Sequence, residues 1–465
     1  MKLRNWQNEC IDLAFKHYLN QRHFLCLATP AAGKTIMSAS LAKKLFVEDK
    51  IDFVICFSPS VTTAENARDV FERVMSLKFD GLFGSVGRSM TYQAMLHLDY
   101  DFWDILKSHR VFIVFDEIHH CAGSEFVHGN AWGQSILNNI KDKAEFILAM
   151  SGTPWRSDSL PITLTHYADS NGRISTHYRY GLARAISDKV CRVPQITLID
   201  NDKILVTHKS EQSSYRSFQE LFNQKVVSYS ELLHNKNALK YILQASVDKL
   251  ASIRESNPNA AGLVVATSVS HAQIIQKLMK KEFGQIAEIV SYKTENSAKR
   301  ISRFKESSAP WIISIGMISE GTDIPRLQVC CHLSRVKTEL YFRQIIGRIL
   351  RVTGNHTELA WLYTFAEPNL SNYAQRLNQD IPNYNVILND KSEINKLNLN
   401  PAVTENLKSS NKKPSPVKSN NTTDNILLEL NSKAVLTAEN TQAYTHWDIL
   451  GHFRQQLIHA FQSPF

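Results

Sequence analysis

The sequence predicts an α/β protein: two parallel-sheet domains in tandem with a cleft between them, followed by a helical C-terminal extension. Three observations predict it. The chain has 465 residues, too many for one domain at roughly 150 residues each. From Leu25 to Arg351, short apolar runs alternate with longer stretches of helical period, as in FLCLA (24–28), DFVICF (52–57), VFIVFD (111–116), EFILAM (145–150), GLVVAT (262–267) and WIISIG (311–316). These runs fall into two groups separated by a polar region, and a short apolar run before each helical stretch is the pattern of a strand buried on both faces.

Composition agrees. With 43% apolar and 21% charged residues, the chain can bury sizeable cores, which excludes disordered and fibrous classes. Its net charge of +9 makes a polyanionic partner plausible and decides nothing alone. Glu9 and Asp12 interrupt the start where a signal peptide needs an apolar core, and no apolar run approaches the ~20 residues of a membrane span, so a cytoplasmic protein without a membrane partner is expected. Seven cysteines without CxxC spacing argue against both a disulfide framework and a zinc ribbon.

Taken in order, residues 1–185 form the first domain and 186–231 a polar connecting element containing the strand-like QITLID (195–200). Residues 232–370 form the second domain, and 371–404 a helical or irregular extension. Across 405–424, Asn, Ser, Thr and Lys fill 14 of 20 positions, which predicts a disordered linker. In 425–465, Ala443, Trp447, Leu450, Phe453, Leu457 and Phe461 recur every three or four residues. That spacing predicts a helix with one apolar face, docked on the protein's own body or on a partner.

Two motifs carry chemistry. FLCLA runs into ATPAAGKT (28–35) and then a helical stretch, the strand, loop and helix of a phosphate site. Backbone N–H groups of Ala31, Ala32 and Gly33 at the helix start would face an anion, Lys34 the β- and γ-phosphates, and Thr35 a Mg²⁺ ion. Ala28 stands where the general pattern has its first glycine, and Ala32 where a flexible residue precedes Gly33; alanine resists positive φ. The second motif, VFIVFDEIHH, ends a buried strand on Asp116 and Glu117. There Asp116 can hold the Mg²⁺ shell and Glu117 can orient or deprotonate an attacking water.

Through these motifs, the chain resembles superfamily-two DExH helicases and translocases over residues 3–366. LRNWQNECI (3–11) resembles their adenine-recognition element, which would make Gln7 the base reader and Trp6 a stacking neighbour. ATPAAGKT resembles motif I, DEIH motif II, SGTPWR (151–156) motif III, VVATSVSHA (264–272) motif IV, ISIGMISEGTDIP (313–325) motif V and QIIGRILR (344–351) motif VI. The resemblance implies two RecA-like domains clamping ATP with Mg²⁺. It puts Gln344, Arg348 and Arg351 at the γ-phosphate, with the two arginines one helical turn apart, and Glu320, Gly321 and Asp323 near ribose and phosphates. It makes His119, Ser151 and Thr153 a coupling set, and Tyr92, Gln93, Thr267 and Ser268 strand contacts. SGTPWR, DEIHH and GMISEGTDIP resemble the branch of excision-repair helicases and of type I and type III restriction motors, which favours DNA over RNA. An RNA helicase, and an ATP-gated DNA clamp recruiting an effector nuclease through 425–465, remain alternatives.

Overall fold

A computed structural model describes residues 2–379 and 445–461, apart from 125–126, 157, 159, 168–173, 209–210, 292–295, 317–323 and 353–358. Gly321 and Asp323, with Glu320, therefore lie outside the described residues, as do the linker 405–424 and most of the flanking extension.

The expected alternation produces two parallel sheets. The first comprises β1 (His23–Ala28), β2 (Phe53–Ser58), β3 (Gly87–Thr91), β4 (Val111–Phe115) and β5 (Phe146–Ser151). After a small ribbon of β6 (His166–Tyr167) and β7 (Ile174–Ser175) comes its last strand, β8 (Tyr178–Tyr180). The order is β3-β2-β4-β5-β1-β8, parallel throughout. In β4 all five residues are buried, the signature of a strand covered on both faces.

The second group begins earlier than the sequence suggested. It contains β9 (Val193–Asn201), β10 (Ile204–His208), β11 (Glu211–Tyr215), β12 (Ala261–Val265), β13 (Ala287–Ser291), β14 (Trp311–Ile315), β15 (Leu327–His332), β16 (Leu359–Phe365), β17 (Thr445–Ile449) and β18 (Phe453–His459). Seven of them form a sheet in the order β13-β14-β12-β15-β16-β9-β18. The segment read as a connector thus supplies β9, which pairs with β16 in parallel over seven residues. The reason is its apolar content: Val193, Ile196, Leu198 and Ile199 are all buried.

The C-terminal segment is also corrected. Where a helix was expected across 425–465, its described part is the hairpin of β17 and β18. β18 runs antiparallel to β9 and closes the sheet, while β17 pairs with β10. Its turn is held by bonds from Asn201 Nδ2 to the Gly451 carbonyl (3.0 Å) and from the His452 N–H to Asp202 Oδ1 (2.8 Å). Spacing misled because the apolar residues do not share a face: Trp447 and Phe453 pack against the core, whereas Leu450 and Leu457 are exposed. Among the described residues no helix is long and apolar enough to cross a membrane.

Candidate ATP site between the two sheets

Strand order gathers the motifs. β5 lies between β4 and β1, so the C-terminal ends of three adjacent parallel strands deliver Asp116–Glu117, Ser151–Gly152 and the loop 29–33 to one crevice, where ligands bind in open α/β sheets.

The phosphate loop is wound tightly. Ala31 and Gly33 sit at φ +70° and +92°, and the helix Lys34–Val47 starts directly after Gly33. The left-handed alanine is Ala31 rather than the buried Ala32, and an alanine there stores strain of roughly 1–2 kcal/mol. Bracing comes from the N-terminal helix Asn5–His17 and its cap. Arg4 donates to the Ala32 carbonyl (2.7 Å), and Gln7 Nε2 donates to the Gly33 carbonyl (2.9 Å) while its Oε1 accepts the Arg4 N–H (2.9 Å). Both ends of the Gln7 carboxamide are thus committed to loop and cap rather than turned toward a base. Trp6 is fully buried, stacked on Tyr180 with ring centroids 4.8 Å apart, so it is a core residue and not a nucleotide-stacking one.

Lys34 reaches across the crevice to Glu117 Oε1 at 3.0 Å. Glu117 takes a left-handed backbone, φ +51°, a conformation that marks functional sites when it occurs at a bulky residue. Its Oε2 accepts from the Gly152 N–H (3.1 Å) and the Ser151 hydroxyl (3.3 Å), and His119 Nδ1 lies 3.4 Å away. Burial opposes its charge, but Lys34, His119 and the Gly152 N–H outweigh burial and hold its pKa well below the usual carboxylate range. Asp116 behaves oppositely: burial first, then the neighbouring Glu117 charge, pushes it up to about 6. Its Oδ1 is buried without a hydrogen-bond partner among the described residues. An unpartnered carboxylate oxygen beside a phosphate loop fits the shell of a Mg²⁺ ion, with Thr35, the second residue of the following helix, as the other ligand.

His119, Ser151 and Thr153 come together as a chain. His119 Nδ1 and Ser151 Oγ are 2.9 Å apart, and the Thr153 N–H donates to Ser151 Oγ at 3.1 Å. Tyr92 does not face a strand groove. It is fully buried, and its hydroxyl donates to the Asp116 carbonyl at 2.7 Å, so it supports the acidic strand end from behind. Gln93 is exposed beside it. Thr267 and Ser268 are partly exposed at the end of β12. There Thr267 is held by His271 Nδ1 (3.0 Å from its Oγ1), and Ser268 caps the helix Val269–Phe283.

The second domain closes on this crevice through the helix Glu339–Ile349. A Cβ on Gly347 would lie 2.6 Å from Pro30 Cβ, so only glycine lets the helix approach the phosphate loop this closely. Arg343 lies over the Trp155 ring at 3.8 Å, a second contact across the cleft. Gln344 is buried and Arg348 is in the last helical turn. Arg351 departs from expectation: the helix ends at Ile349, and Arg351 lies beyond it in an isolated antiparallel bridge with Cys191. The arginines therefore do not share a helix face. Burial lowers Arg351 to about 10, which leaves it charged at neutral pH. Motif reading gave no role to Arg4 or Trp155, although LRNWQNECI and SGTPWR contain them, nor to Cys191, Arg192 and Arg343.

Comparison with known proteins agrees with this arrangement. The family described as type III restriction enzyme, res subunit, matches residues 1–156, and the helicase conserved C-terminal domain matches 238–353. An uncharacterised protein of Mycobacterium leprae is 27% identical over 394 residues, 81% of this chain and 64% of that protein. The chain thus spans less than two thirds of that relative's length. A putative helicase of Sulfolobus islandicus filamentous virus is 32% identical over 133 residues, 27% of this chain and 22% of the viral protein. Among solved structures, the ATP-dependent type ISP restriction-modification enzyme LlaBIII bound to DNA aligns at TM-score 0.53 and 15% identity, covering 81% of this chain and 29% of that enzyme. A fragment of a type I restriction HsdR subunit from Vibrio vulnificus aligns at TM-score 0.53 and 17% identity, covering 80% and 65%; at such identities both report the fold. Motifs I to III fall inside the first family match and motifs IV to VI inside the second, on two RecA-like sheets that meet at one crevice, and in these two segments the chain is similar to the superfamily-two helicases that include the restriction motors.

Proposed function

We propose that the protein is a Mg²⁺-dependent ATPase, stimulated by DNA, that couples opening and closing of its two domains to movement along DNA or to its remodelling. The observation that carries the reading is the division of labour between adjacent carboxylates: Glu117 is held ionised by Lys34, His119 and Gly152, while Asp116 keeps a buried oxygen unpartnered. The γ-phosphate of ATP would draw Lys34 from Glu117 and leave that carboxylate to accept a proton from the attacking water. Mg²⁺ at Thr35 and Asp116 would neutralise phosphate charge. Arg351 and Arg348, from the second domain, would stabilise the charge that develops on the transferred phosphoryl group, so hydrolysis would require closure; an arginine supplied in this way contributes about 10³–10⁵ in rate.

DNA is favoured over RNA because the first family match is a restriction subunit and the structurally similar LlaBIII is described as bound to DNA. The test is ATP hydrolysis measured alone and with matched single- and double-stranded DNA and RNA. Stimulation by DNA supports the reading, preference for RNA moves the protein to RNA remodelling, and no hydrolysis with any polynucleotide refutes the motor.

A further inference from the structure

Among the described residues the chain crosses from the first sheet to the second once, between Tyr180 at the end of β8 and Val193 at the start of β9. A short helix, Leu182–Ser187, occupies half of the crossing. The last residues of the crossing touch the phosphate loop and the chain ends that follow motifs V and VI. On one side the Cys191 thiol points at the Pro30 carbonyl of the phosphate loop (3.7 Å), and the Cys191 backbone bridges to Arg351.

On the other side Arg192 enters the second domain and is almost fully buried, 1% exposed. Its Nη1 lies 2.8 Å from the Leu327 carbonyl and 3.2 Å from those of Pro325 and Ile349, and its backbone N–H donates to the Leu350 carbonyl at 2.7 Å. Pro325 and Leu327 lead from motif V into β15. Ile349 and Leu350 are the end of the motif VI helix, where the last carbonyls have no partner within the helix. One side chain therefore fastens the exit of motif V to the exit of motif VI, immediately before Arg351.

We propose that Arg192 is a positioning residue: it splints the end of the motif VI helix to the inter-domain crossing, and so sets where Arg351 stands relative to the phosphate loop. The residue type follows from the task. The three carbonyls converge on one terminal nitrogen, Nη1, whose two N–H groups they share, and a guanidinium keeps its charge when buried. The thiol of Cys191 is a weak donor, so the firm side of the splint is the arginine. Rotation of the second domain then cannot occur without moving Arg351, because crossing and finger are tied by backbone on one side and by the guanidinium on the other. The catalytic consequence rests on the motor reading; the splint itself does not.

The experiment uses the full chain with Arg192→Met and Arg192→Lys. All seven cysteines are buried in the native protein, Cys191 with 3% exposure, so maleimide labelling resolved by peptide mass reports local opening. In Arg192→Met, Cys191 should label about tenfold faster than in the native protein while the other six stay protected, because buried carbonyls lose their donor only at the crossing. Arg192→Lys, which keeps a charge and three donors, should fall between. In the ATPase assay, Arg192→Met should lower kcat by roughly ten- to a hundredfold, as expected for a displaced catalytic group, with the KM for ATP within about threefold and partial recovery in Arg192→Lys. Unchanged labelling of Cys191 overturns the proposal, and so does labelling of all seven cysteines together, which would make Arg192 a general folding residue. Should the native protein hydrolyse no ATP with any polynucleotide, the motor reading fails while the labelling still decides the splint.

Discussion

Replacing Asp116 with Asn should remove catalysis and stabilise the fold. Asp116 titrates near pH 6 instead of 3.8 because it is buried beside Glu117, whose negative charge outweighs the opposing pull of Lys34. Below about pH 4 the group is protonated in both the folded and the unfolded chain and contributes nothing. As pH rises from about 4 to 6, the folded chain keeps a proton that the unfolded chain releases, so stability falls; above about 6 the folded state carries the whole penalty. At about 1.4 kcal/mol per tenfold change, the rise corresponds to at most ~3 kcal/mol. Imperfect hydrogen bonding by the new amide brings the expected gain to ~1–3 kcal/mol. For a unit of this domain's size, each kcal/mol moves the midpoint by about 2–4 °C. Calorimetry without nucleotide should therefore show the first domain's transition raised by roughly 2–12 °C near neutral pH, and the gain should vanish near pH 4. Mg²⁺ with ATP should then stabilise the native protein more than the variant. An Asn variant that melts below the native protein at neutral pH, or that keeps its gain in acid, refutes this account of the site.

The remaining predictions address other parts of the molecule. Glu117→Gln should lower turnover by about 10²–10⁴ while ATP still binds; phosphate release and nucleotide binding measured on one preparation check both halves. Tyr92→Phe removes a buried bond to the Asp116 carbonyl, so it should cost the first domain ~1 kcal/mol in chemical denaturation and leave DNA affinity within about twofold. A large loss of affinity would return Tyr92 to the strand groove. Deleting residues 445–461 strips β18 from β9 and β17 from β10, and should lower the second domain's thermal midpoint by roughly 5 °C or more. An unchanged midpoint would make the hairpin an appendage.

How much of this was legible in the sequence depended on whether the signal was local. Buried parallel strands leave unbroken apolar runs, so β1, β2, β4, β5, β12 and β14 could be read directly. β18 could not: in FRQQLIH five of seven residues are exposed, and the strand exists because a distant edge, β9, offers it hydrogen bonds. Its apolar residues happened to fall three or four apart, and periodicity cannot distinguish that accident from a helix when turn chemistry at Leu450–His452 is weak. β9 differed: QITLID was read as strand-like, but the polar character of its surroundings hid its place in the second sheet.

The site divides along the same line. Asp116, Glu117 and Ser151 lie at strand ends that parallel topology must bring together, and Lys34 starts the helix just beyond another, so their convergence followed once the strands were placed. Arg351 was assigned to a helix face by its three-residue offset from Arg348, but the helix stops at Ile349. No propensity announces that stop, because what ends the helix productively is tertiary: Arg192, more than 150 residues earlier, takes the terminal carbonyls, and the Cys191 backbone bridges to Arg351. A catalytic arginine just past a helix end can be moved by whatever holds that end, whereas one inside a helix moves only with the whole rod. The position of Arg351 thus makes its reach toward the phosphate loop depend on the inter-domain crossing, the segment that any opening or closing of the domains has to bend.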